Sequence, residues 1–136
     1  IMGLLSHVLF RLNVFKSSLF VIDGSFFLRS LRLQGTPFLI CAAGLVIHLI
    51  TSGVFGAIYM LAGNLLQLDA TTLRSLIVIS VYISLLWLSM LFIALPVAGE
   101  GFLGKKSGHF AWLEQLVLHV VFAFVYYGCL RFFLPQ

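Results

Sequence analysis

Residues 37–62 read PFLICAAGLVIHLITSGVFGAIYMLA, and this stretch decides the fold class. It holds no Asp, Glu, Lys or Arg, and none occurs anywhere between Arg32 and Asp69. A helix crossing the hydrocarbon core of a bilayer needs roughly 20 mainly apolar residues, so this stretch is long enough. Its start is also marked. Thr36 is an N-cap residue type, and Pro37 stands at the first helical position, where a missing N–H costs nothing. Gly63-Asn64 supplies a stop.

Two more charge-free stretches lie beyond it, between Arg74 and Glu100 and between Glu114 and Arg131. Asp69 is a natural N-cap for a helix expected over 70–97, which Pro96 and Gly99-Glu100-Gly101 end. A loop with Gly104, Lys105, Lys106 and Gly108 leads into a last helix over about 110–134. In the N-terminal part, His7, Arg11, Ser18, Ser25 and Arg29 recur at four- and seven-residue steps. On a helix over 5–31 they form one polar stripe, and Lys16 and Asp23 approach on a second face. Such a helix either spans with its stripe turned toward protein or lies in the interface. Spanning is the reading adopted, so the expectation is an all-α integral membrane helical bundle of four helices in a single domain, residues 1–136.

Composition points the same way. The 136 residues are 62% hydrophobic and only 9% charged, with a mean hydropathy of +1.16. A soluble domain is about 25% charged, so a soluble enzyme and a nucleic-acid-binding module are both excluded. Eight Lys/Arg stand against four Asp/Glu, and in a membrane protein their placement reports topology. Loops 29–36 and 98–109 carry Arg29, Arg32, Lys105 and Lys106, whereas Arg74 and Arg131 mark the other side. The positive-inside rule then makes the two loops cytoplasmic and puts the C-terminus outside. A bacterial inner membrane is the expected location, and no signal peptide with a cleavage site is evident. Cys41 and Cys129 differ in depth by roughly 22 Å along parallel helices, beyond disulfide reach.

The scarce uncharged polar residues cluster in depth. His48 lies about 16 Å from the start of its helix, His119 about 14 Å into the last one, and Trp87 about 15 Å from the same side. Gly44, His48, Ser52 and Gly56 are spaced by four and form a seam where another helix can approach. Gln115, His119 and Tyr126 line one face of the last helix, and Ser80, Ser84 and Trp87 one face of the helix before it. Lipid offers no hydrogen-bond partners, so these stripes are expected to face one another. The plainer reading is a hydrogen-bonded packing layer. The sharper one is axial ligation of a haem b or a chlorophyll-type pigment by His48, His119 or both, although no cofactor is the default. A proton or transport path is a third reading.

Other chemistry is missing from the sequence. There is no Cys/His spacing for zinc, no GxGxxG or GxxxxGK[ST] phosphate loop and no GxSxG elbow. Four carboxylates, none paired in sequence, do not suggest hydrolytic acid/base work. Glu114, one turn into the last helix, is expected to snorkel and to favour the helix N-terminus.

The run Gly44-Leu-Val-Ile-His48-Leu-Ile-Thr-Ser52-Gly53-Val-Phe55-Gly56-Ala-Ile-Tyr59 resembles the second span of an uncharacterised family of small four-helix bacterial membrane proteins. That family carries a domain of unknown function. Trp87 followed by Pro96-Val-Ala-Gly99-Glu-Gly101-Phe102 is similar to its third span, and Leu116-Val-Leu-His119 to the start of its fourth. The likeness covers residues 37–130. It departs at Phe122 and Ala123, near where that family often has a glycine. The resemblance implies four helices and supplies no activity. The functional expectation is a non-catalytic accessory subunit of a respiratory or photosynthetic membrane complex, in contact with lipid and other transmembrane subunits. The alternatives are a small haem- or pigment-binding protein and a minor transporter.

Overall fold

A computed structural model describes residues 1–133, and among these residues the chain is helical with no strand. In chain order the helices are α1 (Met2–Arg11), α2 (Leu19–Ser30), α3 (Pro37–Leu65), α4 (Ala70–Leu73), α5 (Leu76–Val97) and α6 (Ala111–Phe133). Three of them, α3, α5 and α6, are long and apolar enough to cross a membrane. The expected end of the last helix at residue 134 falls outside the described residues.

The N-terminal segment corrects the sequence reading. In place of one helix over 5–31 there are two, of 10 and 12 residues. At 1.5 Å per residue these reach about 15 and 18 Å, short of the roughly 30 Å of a hydrocarbon core, and among the described residues no fourth helix qualifies as a span. Side chains from elsewhere take the backbone donors that a continuous helix would use internally. The Lys16 N–H donates to Glu114 Oε1 (2.9 Å) and the Leu19 N–H to Ser6 Oγ (3.1 Å). Asn13 turns the chain at φ 58°, a left-handed conformation that Asn tolerates better than most residues. Glu114 therefore does not snorkel: it is buried, and its second oxygen accepts from the Ser17 hydroxyl at 3.2 Å.

α2 runs antiparallel along the first half of α3, and two glycines permit the approach. A Cβ on Gly24 would strike the Ile40 carbonyl, and one on Gly44 would strike the Phe20 carbonyl. At the far end of α2, the Arg29 guanidinium donates to the Ala98 carbonyl at 2.6 Å. This bond brings the 31–36 loop and the end of α5 to one end of the molecule.

Thr36 caps α3 as its position promised, accepting from the Leu39 N–H at 3.3 Å. Asp69 caps only the four-residue α4, because the chain breaks at Ser75, which is extended. The Tyr59 hydroxyl donates to the Leu73 carbonyl at 2.7 Å, the oxygen that a continuous helix would have bonded to residue 77. Near its other end α5 passes through a π turn at Met90–Ala94 before Pro96. Proline has no N–H for the preceding turn, and a π turn is one way a helix accommodates that gap.

The core is divided into patches. Tyr59, Leu73, Ile79, Ile83, Ala123 and Leu130 pack where α3, α5 and α6 converge. Toward the other end, Ile22 packs with Leu91, Leu95 and Ala98, and Phe15 and Leu19 pack with Leu118. The N-terminal block thus fills the end of the bundle that carries the 98–110 loop. The rings of Tyr59, Tyr82 and Tyr126 tie the opposite region, with centroids 5.0 and 5.4 Å apart. Tyr82 donates to the Phe55 carbonyl at 2.6 Å and Tyr126 to that of Gly56 at 3.4 Å. Both Cys41 and Cys129 are free.

Candidate functional site

The polar residues singled out in the spans occupy two places in the structure. At the first, His48 on α3 meets α2: its Nδ1 lies 3.3 Å from Asp23 Oδ2, with the two side chains 13% and 23% exposed. Phe20 packs edge-on against the imidazole at 5.9 Å, and His7 stacks on the other side of the contact, 5.7 Å from Phe20. His7 Nδ1 is itself 3.1 Å from Ser18 Oγ. The remaining nitrogen of His48 faces α1, since Nε2 lies 3.0 Å from where a Cβ on Gly3 would stand. A flat macrocycle bound to Nε2 would have to displace the α1 backbone, so His48 does not fit the role of an axial ligand.

The second place lies between α5 and α6. His119 is buried, and its Nδ1 is 2.8 Å from the Gln115 carbonyl. A carbonyl only accepts, so Nδ1 carries the proton, and in the neutral imidazole Nε2 presents a lone pair. His119 helps to line a groove of about 220 Å³ together with Ser80, Ser84 and Trp87. That is below the roughly 300–1,000 Å³ of pockets that enclose drug-sized ligands. A tetrapyrrole could engage the groove by an edge at most. No hydrogen bond or ring contact joins His48 to His119 among the described residues, and each has its own hydrogen-bond partner, although the two imidazoles lie near enough to interact electrostatically.

The other members of the expected layer divide between these regions. Gly44 makes the close helix contact, but with α2, which the sequence had assigned to another span. Ser52 is half-buried, and Gly56 faces open space while its carbonyl accepts from Tyr126. Ser84 is exposed to the groove, and Trp87 Nε1 donates to the Trp112 carbonyl at 3.4 Å. Gln115 is 1% exposed, and its Oε1 has no partner among the described residues.

Asp23 is the residue that sequence reasoning missed, having been placed opposite Lys16. It is the only acid before Asp69, and an acid in an apolar segment seeks a protein partner. That signal was present, but the partner was not identifiable. Among the described residues no three His, Cys, Asp or Glu side chains gather as metal ligands. Comparison with protein-family models, curated proteins and solved structures finds no match to this chain.

Proposed function

We propose that this chain is a non-catalytic integral membrane protein that serves as an accessory, helix-packing subunit of a larger membrane assembly. The observation that carries the reading is the nakedness of α3. Only 6% of its most apolar 18-residue window is buried inside the chain, and it projects Phe38, Leu45, Val46, Leu49, Ile50 and Val54 outward. Within this face, a Cβ on Gly53 or Gly56 would meet nothing within 4 Å. Lipid can cover such a face, but a glycine notch lets a neighbouring helix come close enough to gain dispersion contacts that lipid chains make less well. Little of the chain lies outside the three long helices and the N-terminal block, which leaves scant mass for separate chemistry. Its partners in this reading are the bilayer and other transmembrane subunits, with no nucleic acid. The resemblance to small bacterial four-helix proteins belongs to the same proposal, as does an inner-membrane location with loops 29–36 and 98–109 cytoplasmic and the C-terminus outside.

The test is native mass in a mild detergent. The expected particle exceeds the 15.1 kDa of the single chain and contains other membrane subunits. Gly53→Leu and Gly56→Leu should release the chain from it while leaving the thermal unfolding of the chain in place, because both positions are open. A single chain in native membranes, or an assembly indifferent to both substitutions, would defeat the proposal. An absorption spectrum of the same preparation tests the cofactor alternative, for which a Soret or chlorophyll band lost in His119→Ala is the required sign.

A further inference from the structure

The groove between α5 and α6 combines polar groups that no other described residue satisfies. In apolar surroundings serine hydroxyls in helices commonly bond back to a carbonyl one turn earlier. Thr51 does so with the Ile47 carbonyl and Ser30 with that of Phe26. Ser80 and Ser84 have no such bond and no other hydrogen-bond partner among the described residues, and they line the groove beside His119. With Nδ1 engaged by Gln115, His119 Nε2 has no hydrogen-bond partner among the described residues, and His119 borders the same groove. Two donors and one acceptor therefore border a single space on two helices apolar enough to cross a membrane. Without a partner such groups lose free energy in hydrocarbon.

The rest of the lining limits what can satisfy them. No Arg, Lys, Asp or Glu borders the groove, so a phosphate, carboxylate or ammonium head would lack a counter-charge. Trp87 and Phe124 provide aromatic walls, and about 220 Å³ is room for a single ring. Leu76, Ser80 and Ser84 also border an adjoining open trough of about 480 Å³, which is otherwise aliphatic. The two spaces together match an amphiphile with a neutral aromatic head, able both to donate and to accept, and a long apolar tail.

We propose that this groove binds the ring of a lipid-soluble quinol, a para-dihydroxy arene with an apolar tail. One ring hydroxyl donates to His119 Nε2, a ring oxygen accepts from Ser84 or Ser80, the ring lies against Trp87, and the tail follows the trough. The proposal concerns binding alone and does not depend on the subunit reading. It carries a selectivity of its own. The oxidised quinone has no O–H to give to His119, so the quinol binds more tightly, by about tenfold for one lost hydrogen bond.

The experiment uses the full chain in phosphatidylcholine nanodiscs, with Trp112→Phe so that Trp87 is the only tryptophan. A decyl-tailed benzoquinone is titrated against the fluorescence, and its quinol is then added as competitor. The expected result is saturable quenching that the quinol reverses at about one tenth of the quinone concentration. Ser84→Leu, at an exposed position that the fold tolerates, removes the saturable component. His119→Leu abolishes the preference for quinol. Linear quenching unchanged by Ser84→Leu would overturn the proposal. So would equal displacement by decanol, which has a tail and no ring and would mark the groove as an ordinary lipid seam.

Discussion

Asp23 Oδ2 lies 3.3 Å from His48 Nδ1, and through this contact a helix too short to cross a membrane is fixed to one long enough to do so. The pair sits where α2 passes closest to α3, with Phe20 against the imidazole. Both side chains are largely withdrawn from solvent, so each depends on the other for a polar partner. A double-mutant cycle with Asp23→Asn and His48→Gln, read by denaturant unfolding in detergent, should give a coupling of about 0.5–3 kcal/mol, the range for side chains in direct contact. Additive single effects would mean that the contact contributes nothing to docking α2.

Glycine substitutions in α3 should divide by position. Gly44→Ala forces a Cβ into the Phe20 carbonyl and should cost roughly 1–3 kcal/mol through overpacking, with α2 loosened from α3. Gly56→Ala meets open space and should be neutral or stabilise by up to about 1 kcal/mol through helix propensity. Thermal melting of the two variants checks the contrast, and similar losses in both would contradict the packing described.

Gln115 presents a buried oxygen without a partner. Replacing it with an apolar side chain of similar size removes the need to desolvate that oxygen. Gln115→Leu should leave unfolding free energy unchanged or raise it by up to about 1–3 kcal/mol. A comparable loss of stability would show that the amide makes a bond the fold relies on.

Asp69 supplies a pH dependence outside the spans. Hydrogen bonding from Thr72, first from its side chain and then from its backbone N–H, holds the Asp69 carboxyl below its ordinary value of 3.8. A group lowered in the folded state stabilises fully above its unfolded value and loses that contribution as pH falls through the folded one. The α4 cap should therefore weaken only below about pH 4. In Asp69→Asn, which keeps a capping oxygen, that acid-dependent part of the melting curve should vanish. A variant with an unchanged acid profile would assign the dependence to another carboxylate.

The sequence by itself determined the three long helices and the Thr36 cap of the first, while Asp69, expected to cap the second, caps only α4. Charge-free length, Thr36 before Pro37, and Asp69 are local features, and hydrophobic length in a bilayer needs no knowledge of neighbours. It also identified His48, His119, Ser84, Trp87 and Gln115 as residues needing partners. Tertiary structure decided which partners. The N-terminal stretch has helical periodicity throughout, yet Glu114 and Ser6 take the backbone donors of Lys16 and Leu19 and divide it into two short helices. Glu114 lies 98 residues from Lys16, beyond the reach of any periodicity. Equal depth suggested that His48 and His119 belong to one layer, but depth along a helix does not fix the direction of a side chain around it. Only the packing of α2 against α3 turned His48 to Asp23 and left His119 to the groove beside α5.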